Sequence, residues 1–388
     1  MTKHLNKIEN LVNKLCPKGI ELVELGNVLD YEQPRNYIVT STKYSNEFST
    51  PVLTAGQSFI LGYTDETNGI HKASKENPVI IFDDFTTSFH WVDFDFKVKS
   101  SAMKMLRKQK DSDVDLRYVY YAMRCISYKP QDHARHWISQ YSKFKIPLPP
   151  LAIQEEIVKI LNSFTELEAE LEAELEARKK QYEHYRSELL TFNNMGGVQQ
   201  IRLMDIANYS KTRIEATKLN NESYVGVDNL LQNKQGKTLS SYVPTVGKLT
   251  HYENGDILIG NIRPYLKKIW HATNTGGTNG DVLVVRINKK DKVNSEFLYY
   301  LLSSDKFFNY NMQFAKGAKM PRGDKSAIMK FEIPLPPISE QKRVVSILNK
   351  FEHLVNDISI GLPAELKARR SQYEYYRGKL LTFNEYVN

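Results

Sequence analysis

Cysteine is almost missing from this sequence: Cys16 and Cys125 are the only two in 388 residues. Two thiols build neither a disulfide framework nor a cysteine zinc site, so a stapled secreted module is excluded and a reducing, cytoplasmic setting is expected. Long apolar runs are missing as well. Mean hydropathy is −0.48, and nothing approaches the roughly 20 apolar residues that a membrane-spanning helix needs. The first residues, MTKHLNKIENLVNKLCPKG, lack the apolar centre of a secretion signal, and none is expected.

Catalytic signatures are absent too. The chain has no Walker A loop, dinucleotide fingerprint, HExxH helix, serine elbow or DPPY-type methyltransferase loop. The fragments that resemble sites have simpler explanations. Glu365, Leu366 and Lys367 look like the tail of a nuclease motif but sit in a helical pattern, as do Glu174, Leu175 and Glu176 in the matching stretch. Asp83 and Asp84 end an apolar strand, where turn chemistry accounts for them. His133 and His136 have zinc-like spacing but no further ligands nearby. No metal site, no cofactor and no catalysis by this chain alone are expected.

What the sequence does contain is a long internal repeat. FKIPLPPLAIQEEIVKILN at 144–162 matches FEIPLPPISEQKRVVSILN at 331–349 with an offset of 187. LEARKKQYEHYRSELLTFN at 175–193 matches LKARRSQYEYYRGKLLTFN at 366–384 with an offset of 191, so the second copy has gained four residues, near Gly361, Leu362 and Pro363. A fainter match relates 19–35 to 197–213. A period this long excludes a solenoid and indicates two copies of one domain-plus-helix unit.

The helical segments carry apolar residues every three or four positions, which places them on one face. The first stripe includes Ile157, Leu161, Phe164, Leu167, Leu171, Tyr182 and Tyr185; the second includes Leu348, Phe351, Leu354, Ile358, Tyr373 and Tyr376. So narrow a stripe on so polar a helix needs a partner helix. Each helix, at roughly 40 residues, is about 60 Å long, and mutual antiparallel packing of the copies is expected. The alternative is that each folds back on its own module. Gly361 and Pro363 are expected to interrupt the second helix. Residues 1–15 form a short amphipathic helix through Leu5, Ile8, Leu11, Val12 and Leu15.

Between the helices, runs such as NPVIIFDD, GDILIGNI and GDVLVVRI are short and β-rich, with Gly, Asn, Asp and Pro turns; helical stretches are expected near 114–127 and 294–310. The expected division is 1–15, a module at 16–149, a helix at 150–195, a module at 196–336 and an interrupted helix at 337–388. The fold class is α+β, two similar domains joined by two long helices.

Net charge is +8 and the isoelectric point about 9.0. The central helix is acidic, so the excess positive charge lies mainly on the modules, which favours a polyanionic partner. Candidate DNA-contacting residues cluster in equivalent places. Arg135 and Lys143 precede the first PLPP. Lys316, Lys319, Arg322 and Lys325 precede the second, around Gly317, Pro321 and Gly323. GNIRPYLKKIW adds Asn261, Arg263, Lys267 and Lys268, and the analogous turn of the first module offers Thr86 and Thr87. Arginine and asparagine suit guanine and adenine edges, whereas lysine suits phosphates. The run Lys104, Arg107, Lys108 and Lys110 reads as phosphate-binding or merely exposed.

The paired proline–glutamine helix starts, with QYEHYRSELLTF and QYEYYRGKLLTF, resemble the conserved regions of the specificity subunits of type I restriction-modification systems, over essentially the whole chain. That resemblance implies two target-recognition domains separated by an antiparallel coiled coil, with internal pseudo-two-fold symmetry. It implies a bipartite, asymmetric double-stranded DNA site and a subunit without chemistry of its own. Its partners would be two modification subunits, which use AdoMet to methylate adenine, and restriction subunits, which use ATP and Mg2+. Two other readings make different predictions: a stand-alone endonuclease cuts DNA with magnesium alone, and a protein-only coiled-coil scaffold has no DNA affinity.

Overall fold

The structure is a computed structural model; it describes every residue except 1, 55, 57, 111, 131–133, 193–197, 357–359 and 385–388. The chain forms two compact units. The first comprises Met1–Glu172 and Leu366–Asn388, the second Ala173–Glu365. These boundaries cut through the helical segments, so each unit contains a globular module and portions of both.

The first unit is centred on a four-stranded antiparallel sheet in the order Leu29–Glu32, Met103–Lys108, Val79–Asp83, Phe89–Val92. The run VIIFD has no polar alternation because Val79, Ile80, Ile81 and Phe82 are all fully buried, as an inner strand covered on both faces must be. Ile60–Thr64, Thr50–Leu53 and Lys97–Val98 make a smaller three-stranded sheet. Leu22–Glu24 pairs antiparallel with Lys145–Pro147, which ties the start of the module to its end.

The second unit repeats the larger sheet: Ala207–Tyr209, Val282–Ile287, Ile257–Gly260, Ile269–His271, again all antiparallel. Ile80 opposite Leu106 corresponds to Ile257 opposite Val285. Gln199–Arg202 with Glu332–Leu335 repeats the closing pair. The smaller sheet differs. It has four strands, in the order Arg213–Glu215, Lys248–Tyr252, Gly276–Thr278, Tyr224–Val225.

The helical expectation near 114–127 corresponds to Leu116–Met123, capped by the Asp115 carboxylate. That near 294–310 divides into Ser295–Leu302 and Asp305–Gln313, because Ser304 caps a new helix start. Leu151–Leu189 is an unbroken helix of 39 residues. The second segment consists of Ile338–Asn356 and Gly361–Leu380. Gly361 adopts φ +63°, the left-handed region open to glycine, and Pro363 lies in the first turn of the new helix, where its missing N–H costs nothing.

Within the first unit, Phe164 stacks on Tyr376 at 5.6 Å between ring centroids and meets Tyr373, while Glu168 accepts a 2.6 Å bond from Arg370. Partner numbers fall as helix numbers rise, so the two helices run antiparallel. Ile157, Leu161 and Phe164 share one apolar cluster with Tyr373, Leu380 and Leu381, but also with Tyr118 and Tyr121 of the module and Ile8 of helix Thr2–Leu15. The helices thus pack on each other and on their module at once.

Within the second unit, Tyr182 shares a cluster with Val344, Leu348 and Val355, and Tyr185 stacks on Phe351 at 6.1 Å. The seam departs from the sequence pattern at named places. Leu167 and Leu171 are half-buried, and Tyr185 keeps one side open. Leu354 is 50% exposed, because the buried face steps by four from Phe351 to Val355 instead of by three, and the helix ends at Asn356. Ile358 lies outside the described residues.

Candidate nucleic-acid interface

In the first unit the site is built on the turn after Val79–Asp83. The Asp83 carboxylate accepts the N–H groups of Phe85 (2.8 Å) and Thr86 (3.0 Å), and the Thr87 N–H closes the turn on the Asp83 carbonyl at 3.0 Å. Asp84 points inward. Its carbonyl accepts the His136 N–H at 2.8 Å and its carboxylate the Trp137 N–H at 2.9 Å; the carboxylate also lies 3.3 Å from the ammonium of Lys104. This buried latch holds the short helix His136–Ser139 against the strand end, and so brings the exposed Arg135 to the turn that carries the exposed Thr86.

The second unit repeats the latch with other side chains. Asn261 stands where Asp84 does, one residue beyond the strand, and its carbonyl accepts the Gly323 N–H at 3.1 Å. The Arg263 N–H donates to the Pro321 carbonyl at 2.7 Å. Lys316 and Arg322 exchange two 2.9 Å backbone bonds, which pinch residues 317–321 into a narrow loop; Gly317 permits its φ of +106°. Arg263 and Lys267 are both left-handed, flanking the 3-10 turn Pro264–Leu266. Exposed Arg263 and Arg322 end as neighbours, and an Arg322 guanidinium nitrogen lies 3.2 Å from Asp281. Strand register equates Thr86 with Arg263, and the repeat offset equates Arg135 with Arg322.

Local acids temper this charge. Lys267 bonds to Asp305 at 2.9 Å, and that contact, ahead of Lys234, holds the Asp305 carboxyl below its ordinary range. The Ala327 N–H, and after it Lys316, does the same for Asp324.

Several sequence candidates are placed otherwise. Thr87 is 8% exposed, and its hydroxyl donates to the Thr86 carbonyl at 2.7 Å, so it serves the turn. Asn261 is 5% exposed with its Oδ1 fully enclosed; its position at the strand end turns its amide into the unit, leaving no edge for adenine. The Lys268 ammonium reaches back to the Val227 carbonyl at 2.6 Å and braces the loop. Lys267 is committed to Asp305. Lys143, Lys319 and Lys325 are exposed, as the pattern implied. Lys104, read as part of a surface run, is 1% exposed. Sequence reasoning missed the Asp84–Lys104 latch, although an apolar residue on either side of Lys104 hints at an inner strand. Asp83 and Asp84 are occupied by turn and latch, and His136 is buried in the latch, while His133 lies outside the described residues.

Two like α+β units, each setting an exposed arginine, Arg135 or Arg322, beside a strand-end turn and each bearing portions of long helices, point to a DNA-recognition protein. The comparisons agree. The family described as type I restriction modification DNA specificity domain matches residues 17–177 and again 195–368. The specificity subunit of the Escherichia coli type I restriction enzyme EcoR124I/EcoR124II is 38% identical over 412 residues, covering 94% of each chain. A putative type I specificity subunit of Haemophilus influenzae is 29% identical, covering 84% of this chain and 86% of its own. Among solved structures, a type I S subunit from M. genitalium shares the fold with a TM-score of 0.53 at 15% identity, over 94% of this chain and 96% of its own. A structure of type I complex assembly gives 0.58 at 16% identity, over 94% and 98%. The chain belongs to the type I restriction-modification specificity family, and its role is that of the DNA-recognition subunit. Among the described residues no helix is long and apolar enough to cross a membrane.

Proposed function

We propose that each unit reads one half of a bipartite, asymmetric DNA site, and that this chain performs no chemistry itself. Arg263 and Arg322 choose bases for the second unit; Arg135, with Thr86, does so for the first. Lys143, Lys316, Lys319 and Lys325 supply phosphate contacts and salt-dependent affinity. Two modification subunits using AdoMet methylate the adenines, and restriction subunits using ATP and Mg2+ cleave; this chain scaffolds both in the cytoplasm through its long helices, whose length sets the unread spacer. One observation carries the reading: the same strand-end latch presents Thr86 with Arg135 in one unit and Arg263 with Arg322 in the other.

The test uses the chain assembled with its modification subunit. Arg263→Ala and Arg322→Ala each cost about 1–3 kcal/mol of base discrimination at one position of one half-site. Lys319→Ala weakens all sequences alike and lowers the salt slope by about one. Unchanged binding and an unchanged adenine-methylation map in both arginine variants would refute it. Cleavage by the chain alone with magnesium would favour an endonuclease, and no DNA affinity in the assembled complex a protein-only scaffold.

A further inference from the structure

Leu239, Tyr242 and Val246 are 59%, 71% and 80% exposed, all in one irregular loop between Tyr224–Val225 and Lys248–Tyr252. Three apolar side chains this exposed within eight residues of one loop are what a contact surface would display. The residues 229–250 contain no acid.

The loop is firmly rooted. The Thr238 N–H donates to Asn229 and the Ser240 N–H to Asn221, both at 2.9 Å, and the Ser240 hydroxyl caps the Tyr242 carbonyl at 2.6 Å. Its root leads to the cationic corner. Tyr224–Val225 runs parallel to Gly276–Thr278, and the chain beyond that strand reaches Asp281, the partner of Arg322. Tyr242 and Asp281 both act on the Tyr224 phenol, whose pKa is raised chiefly by burial. The finger also belongs to the smaller sheet, the part in which the two units differ.

We propose that residues 238–247 form an apolar finger that presses into duplex DNA beside Arg263 and Arg322, with Tyr242 stacking at one base step. This rests on the reading of the second unit as a DNA reader and adds a different kind of readout. The aliphatic side chains of Leu239 and Val246 and the face of the Tyr242 ring cannot read donor and acceptor patterns. They fit base faces and thymine methyls, and unstacking a step costs least at pyrimidine–purine steps. The finger therefore selects by deformability where the arginines select by hydrogen bonds.

The experiment uses the complex with its modification subunit and duplexes carrying 2-aminopurine at successive positions of the half-site assigned to the second unit. Wild type brightens the probe at one step. Tyr242→Phe keeps that signal. Tyr242→Ala abolishes it and weakens binding about tenfold, without loss of fold, since the side chain is on the surface. Arg322→Ala weakens binding but leaves the bright step where it was. No bright step in wild type, or Tyr242→Ala matching wild type while Arg263→Ala and Arg322→Ala lose affinity, overturns the finger and leaves the arginine reading standing. Tyr242→Ala lowering assembly with the modification subunit in native mass spectra, without DNA, makes the loop a protein contact and also overturns it. If every variant behaves as wild type, the finger and the reading of this face both fall.

Discussion

Gln154 and Gln341 explain why one short motif recurs 187 residues apart. Both are fully buried. Gln154 accepts the Asp115 N–H at 2.9 Å and donates to the Pro149 carbonyl at 2.7 Å. Gln341 accepts the Asn294 N–H at 2.9 Å and donates to Pro336 and Lys292 at 2.8 and 2.9 Å. Each fastens the first turn of a long helix to the N-cap of a module helix, which sets the angle between them. Gln154→Leu or Gln341→Leu keeps the volume but strands buried backbone groups, so each should cost about 2–4 kcal/mol in denaturant unfolding. Asp84→Ala should cost about 3–5 kcal/mol, because it leaves the Lys104 ammonium buried and unpaired. Its counterpart in the second unit is steric. A Cβ at Gly323 would lie 2.8 Å from Asn261 Oδ1 and closer still to Asn311 Oδ1. The glutamines were visible in the repeat, but not their task. Asn261 and Lys268 misled because residue type predicts what a side chain can bond, while the turn decides whether it faces water or the core.

At the scale of elements, what was legible followed from periodicity. Apolar spacing marked the long helices, and continuous apolar runs marked the inner strands Val79–Asp83 and Val282–Ile287. Strand order was not legible, since Lys97–Val98 and Tyr224–Val225 are too short to announce themselves. The choice between steps of three and four, which buried Val355 and exposed Leu354, needed the packed partner. Leu161 is fully buried among module and helix residues, so Leu161→Ala should cost about 2–5 kcal/mol. The smaller sheet of the first unit offers a pH test. Glu66 bonds to Lys97 at 2.9 Å and accepts the N–H groups of Ser41 and Thr40, pinning the 40–41 segment. The lysine contact first, then the Ser41 N–H, lowers its pKa from 4.5 to about 2. A lowered folded-state pKa stabilises above the ordinary value and is lost as protons bind, so this contribution is whole above about pH 4.5 and fades towards pH 2. Glu66→Gln should destabilise at pH 7 and flatten the stability–pH slope in that window, as followed by urea unfolding at stepped pH.

At the scale of the whole molecule, duplication predicts that a module can be exchanged and sets the terms of exchange. The first module meets the helical frame through a shared apolar cluster and through named polar fasteners. Tyr121 donates to Asn162 at 2.7 Å and the Asp115 N–H to Gln154, while Tyr118 donates at 2.8 Å to the carbonyl of Pro147, in the strand that leads to the long helix. The second uses matching ones, with Tyr300 donating to Asn349 at 2.5 Å and Asn294 donating to Gln341. The fasteners are alike while the exposed turn residues and the smaller sheets differ, Thr86 against Arg263 and the three-stranded sheet against the four-stranded one. Replacing residues 19–145 with a recognition module that keeps its own equivalents of Asp115, Tyr118 and Tyr121 should therefore preserve folding and rewrite one half-site. Adenine-methylation mapping in cells that supply the modification subunit should show the other half and the spacer unchanged. A simultaneous change in both halves would mean that the units read as one surface. Loss of all methylation by a folded, assembled chimera would mean that recognition depends on more than these fasteners. Adding one turn to both long helices instead should leave both halves intact and lengthen the spacer between them.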